Sequence, residues 1–133
     1  MRTIEEKLAE GKDEIAERIA HQISAFHPCG ATALGPGAIA VQVASVVTGF
    51  IEALRSRRVA PFLDAVQELQ RDPSAPDRLA CAEIHTVLDL LEDLAVASVS
   101  DPGGRPAAQA SRVIRTLIAQ GREAVPRETR CDA

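Results

Sequence analysis

The chain has 133 residues, 46% of them hydrophobic, with 15 Lys and Arg against 19 Asp and Glu and a formal net charge of -4. That length suits one domain able to bury roughly two-thirds of its unfolded surface, and the acidic balance excludes nonspecific nucleic-acid binding, which needs basic residues to neutralise phosphates. With no Trp, no Tyr and three Phe, base-stacking platforms are missing too, and the alanine-rich apolar fraction favours closely packed helices over a sheet.

Thr3 and Glu6 have the spacing of a capping box, in which each side chain satisfies a free amide at a helix start. Behind them Ile4, Leu8, Ile15, Ile19, Ile23 and Phe26 recur at steps of three, four and seven, which predicts a first helix from about Ile4 to Phe26 with one apolar stripe. Such a helix is about 35 Å long, the full width of a domain this size. Ile4, Leu8, Ile15, Ile19 and Ile23 are therefore expected to reach a second copy and form a homodimer interface. Glu5, Glu6, Glu10, Asp13 and Glu14 stand where a secretory leader needs a basic then apolar run, so a cytoplasmic location is expected.

HPCGATALGPG, residues 27–37, is too rich in Pro and Gly to continue a helix. Pro36 suits the first turn of a second helix, whose Ile39, Val43, Val46, Val47, Phe50, Ile51 and Leu54 make it the expected centre of the core. Its apolar run from Ala38 through Val47 is broken by Gln42 and Ser45 and falls short of about 20 residues, so no membrane span is expected. Arg55, Arg57 and Arg58 crowd the C-terminal end, where the helix dipole favours positive charge.

Pro61 opens a short third helix with Phe62, Val66 and Leu69, ended before Pro73. Ser74 and Asp77 repeat the capping pattern around Pro76, predicting a fourth helix to about Val99 that buries Ile84, Val87, Leu88, Leu91, Leu94, Ala95 and Val99. DPGGRP, residues 101–106, breaks the chain again. A fifth helix is predicted from about Ala107 to Val125, with Val113, Ile114, Leu117 and Ile118 inward, and Pro126 ends it. The expected architecture is an all-α, five-helix single domain over residues 1–126, followed by a frayed tail over 127–133.

Cys81, His85 and Asp89 recur every four residues on the fourth helix, a spacing that can bring ligands to one side. The helical wheel instead puts Cys81 on the apolar face and Asp89 toward solvent, so no metal site is expected. Cys29, Cys81 and Cys131 are scattered, without a CxxC pair, and read as reduced thiols. A histidine phosphotransfer module could use His85, but Asp89 supplies an acid where a phosphate wants a base. His21 and His27 flank the end of helix one, yet Phe26, Phe50 and Phe62 are few aromatics to wall a haem.

A small-ligand or haem binder would instead need an apolar pocket between helices two and four, lined by Phe50, Leu54, Leu88 and Leu91. The sequence has no GxSxG, P-loop, HExxH or Gly-rich phosphate turn, so neither enzymatic activity nor a cofactor is expected. Charge divides along the chain. Residues 52–101 hold ten acids and five arginines, and residues 104–133 six arginines and three acids. Arg112, Arg115 and Arg122 give helix five a basic side, read either as a complement to acidic helices one and four or as a docking surface for an acidic signalling partner.

VASVVTGFIEALRSRRVAPFLDAVQELQRD and RLACAEIHTVLDLLEDLAVASV, spanning Val43 to Val99, resemble the N-terminal domain of RsbT co-antagonist (RsbR-type) regulators. The likeness lies in a helix ending FIEALRS, a short helix FLDAVQEL and a long helix after a charged, Pro-containing turn. It covers about half the chain. The resemblance implies a globin-like helical fold without haem, homodimers, and a sensory or regulatory role in stress signalling. It supplies no catalytic residues.

Overall fold

A computed structural model describes residues 4–25, 36–70, 81–99 and 108–125. Among them there are five helices and no strand: α1 (Ile4–Ala25), α2 (Pro36–Ser56), α3 (Ala60–Gln70), α4 (Cys81–Ser98) and α5 (Ala108–Ala124). The all-α, five-helix expectation holds, with ends within a residue or two where both can be compared. The capping residues Thr3, Ser74 and Asp77 lie outside the described residues, as do Phe26, His27, Cys29 and Cys131.

Local chemistry explains where the helices stop. After Ser56 the backbone turns left-handed at Arg57, φ 58°, and the Arg58 amide donates to the Ala53 carbonyl at 3.1 Å. That bond closes a C-terminal turn of the kind usually built on glycine. Arg55 also pairs with Glu52 one turn back, at 2.6 Å. Three residues later the Val59 carbonyl accepts the Phe62 and Leu63 amides at 3.0 and 3.1 Å, which starts α3 with Pro61 in the first turn, where its missing donor costs nothing.

The helices close a ring. α1 packs on α2 and α4, α2 on α3, α3 on α5, and α5 on α4, so the order around the bundle is α1, α2, α3, α5, α4. The core fills its middle: Phe50, Phe62, Leu88, Ile114 and Ile118 are fully buried. Phe50 and Phe62 meet edge to face, with centroids 5.3 Å apart and planes at 75°, a favoured aromatic geometry.

Two glycines permit close approach. A Cβ at Gly49 would fall 2.7 Å from the Ala65 Cβ and 2.8 Å from the Pro61 carbonyl oxygen, so the α2–α3 crossing requires its absence. One at Gly121 would fall 2.7 Å from the Phe62 ring.

Several expectations change. The helix-one stripe does not face outward: Leu8, Ile15, Ile19 and Ile23 are 0–5% exposed within a single chain. They close α1 onto α2 and α4. The Ile4 side chain lies outside the described residues. Val113, predicted inward, is 43% exposed, because the buried line on α5 runs through Ala110, Ile114, Leu117 and Ile118 one step to its side.

The segment Ile39–Ser56 is long and apolar enough to cross a membrane by length and composition, more so than the run from Ala38 to Val47 suggests. Its Ile39, Val43, Val46, Val47, Phe50 and Ile51 are all buried in the bundle, the position of a core helix.

Candidate functional site

α4 distributes its side chains to three destinations. Ile84, Val87, Leu88, Leu91 and Ala95 point into the core. His85, Asp89 and Glu92, at steps of four and three, turn to α5. Leu90 and Leu94 turn the other way, toward α1, and are only partly buried.

The α5-facing side is occupied. Arg122 donates to Asp89 Oδ1 from Nε at 3.0 Å and from Nη2 at 2.6 Å, and to Glu92 Oε2 at 2.6 Å. Arg115 lies 3.8 Å from the other Glu92 oxygen. Partial burial lowers the Arg122 pKa, but hydrogen bonds to Glu92 and Asp89, and then their charges, outweigh it and hold the guanidinium above its ordinary value. A raised pKa on a base stabilises the fold at every pH below the unfolded value, so alkali does not break this contact within the range where proteins stay folded. Two of the three helix-five arginines are thus used inside the chain, while Arg112 stays exposed.

His85 Nε2 donates to the Val125 carbonyl at 3.1 Å, and Gln70 Nε2 donates to the Ala124 carbonyl at 3.2 Å. α5 therefore has its C-terminal carbonyls capped by side chains from α4 and α3, which settles acceptors that no helix satisfies itself. The nitrogen a phosphotransfer histidine would offer is engaged as a cap. Asp89 is engaged with Arg122, and no group of three or more metal-binding side chains occurs among the described residues. Glu83, 3% exposed, sits in the first turn of α4, where the helix dipole favours negative charge.

Phe50, Leu88 and Leu91, expected to line a pocket, are at most 1% exposed, and Leu54 packs against the same core. An opening lies instead between α1 and α4: a groove of about 760 Å³. Its floor is Ile19, Leu90 and Leu94, and its rim carries Glu14, Glu17 and Asp93. Arg18, His21 and Gln22 complete the α1 wall. Arg18 reaches back to Glu14 at 3.2 Å, both side chains well exposed, a surface pair worth a few tenths of a kcal/mol at most. The lined stretch of α1, from Glu14 to Ala25, is about 16 Å long at 1.5 Å per residue, or three helical turns.

The groove was not read from the sequence, although a signal for it exists. Leu90 falls outside the line of Ile84, Val87, Leu88, Leu91 and Ala95 that enters the core. With Leu94, Leu90 marks a second apolar flank on α4. Comparison with known protein families, with characterised proteins and with solved structures yields no match.

Proposed function

We propose that this chain is a non-enzymatic regulatory domain that acts by docking another protein in the α1–α4 groove. The observation that carries the reading is the groove itself: partly exposed leucines at its base, charge along its edge, and a length that fits a helical segment. The likeness of Val43 to Val99 to RsbR-type N-terminal domains supports a sensory role in stress signalling, and a cytoplasmic location fits that role. The occupied state of His85, Asp89 and Arg122 favours structural duties for these residues over chemistry.

Filling the groove tests this. Gln22 is exposed on the α1 wall, so Gln22→Trp places bulk in the groove without disturbing the core. Partners identified with the wild-type chain should be lost with Gln22→Trp and kept with Thr48→Trp, on the exposed side of α2. Partners that survive Gln22→Trp would show that this groove is not the docking surface.

A further inference from the structure

The charge around the groove selects among possible occupants. α4 carries Glu83, Asp89, Glu92 and Asp93 with no Lys or Arg between Cys81 and Ser98. α1 carries Glu5, Glu6, Glu10, Asp13, Glu14 and Glu17 against Lys7, Lys12 and Arg18. Both helices therefore carry more acid than base. On α4 the imbalance is sorted by direction: Asp89 and Glu92 are matched by Arg122 and Arg115 from α5, while Asp93 lines the groove.

On α1, Arg18 is directed to Glu14, and Glu17 stands on the rim beside them. The rim thus holds three carboxylates and one guanidinium above a leucine floor. Field lines between two such walls concentrate, and favour a cationic partner over a neutral or acidic one.

Resting on the docking reading above, we propose that the occupant is a basic amphipathic helix of a partner protein, about three turns long. Its apolar face covers Leu90 and Leu94, and its Lys or Arg side chains meet Glu17 and Asp93. The shape argues for a helix, because an open trough between two helices accepts a third by the same ridge-and-groove packing that joins the other five. The charge argues for its sign.

The chain has no Trp and no Tyr, so a single Trp in a synthetic peptide reports binding against a dark background. Two helical peptides of about 14 residues, long enough for the groove, decide the matter: one of Leu and Lys, the other with Glu in place of every Lys. The Lys peptide is expected to bind the full chain and to weaken as salt rises. The double variant Glu17→Lys, Asp93→Lys is expected to weaken it about tenfold or more, about 1.4 kcal/mol by the affinity relation.

Both substituted positions are exposed, and an unchanged helical circular dichroism spectrum confirms the fold. Equal or tighter binding of the Glu peptide overturns the inference, as does Lys-peptide binding indifferent to the double variant. If protein partners are lost with Gln22→Trp while the Lys peptide never binds, the docking reading stands and the basic occupant falls. If neither responds to the groove, both fall. Self-association of the chain that disappears in the double variant puts a second copy in the groove, and equally overturns the proposal.

Discussion

Arg57 holds a backbone conformation that costs an L-residue about 1 kcal/mol and costs glycine almost nothing. Its φ of 58° is imposed by the turn that carries the chain from α2 into α3, and its side chain is exposed. Arg57→Gly is therefore expected to stabilise the protein by about 0.5–1 kcal/mol, seen as a melting temperature about 2–4 °C higher; a fall would mean that the guanidinium contributes more than the backbone strain. The end of α2 and the start of α3 at Pro61 were readable, but the left-handed residue between them was not, because the usual marker of such a position is Gly and here three arginines stand in its place. A dipole argument accounts for their charge but not for the handedness of residue 57. His85 is similar. Its spacing with Asp89 was legible, and its true partner, the Val125 carbonyl 40 positions away, was not, since only the fold brings that carbonyl near.

Between elements, the tightest constraint is the crossing of α2 and α3 at Gly49. Adding a methyl group there meets the Pro61 carbonyl, which cannot rotate away, and overpacking of this kind costs about 1–3 kcal/mol. Helix propensity returns up to about 1 kcal/mol. Gly49→Ala is thus expected to lower the urea midpoint despite the better helix former. Gly11 in α1, with nothing within 4 Å of a built Cβ, supplies the control: Gly11→Ala is expected to raise the midpoint by the equivalent of about 0.5–1 kcal/mol. If both substitutions shift it in the same direction, the close approach is not what Gly49 provides. Helix existence and type were readable because long segments with a 3.6-residue period and Pro or Gly boundaries leave little choice. The faces were less readable where apolar residues stand side by side, as with Val113 beside Ile114 and Leu90 beside Leu91, since a wheel with too wide an apolar arc does not say which edge meets a neighbour.

For the whole molecule, the stripe of α1 decides whether a lone chain is complete. Periodicity selected the right residues, yet it could not assign them a destination, because a core and an interface present the same pattern. In the bundle Ile19 is 0% exposed. Ile19→Glu is accordingly expected to abolish the cooperative melting transition by burying an unpaired charge. A folded chain altered only in oligomeric state by sedimentation would favour the interface reading instead.

The ring also has a seam. Chain neighbours α1, α2 and α3 pack on one another in order, as do α4 and α5, and the two runs join where α1 meets α4 and α3 meets α5. The groove lies along the first of these junctions. A guest lodged there bridges the leading and trailing portions of the polypeptide like a clasp across a bracelet, so its arrival should slow their parting and its departure leave the circle easier to spring open.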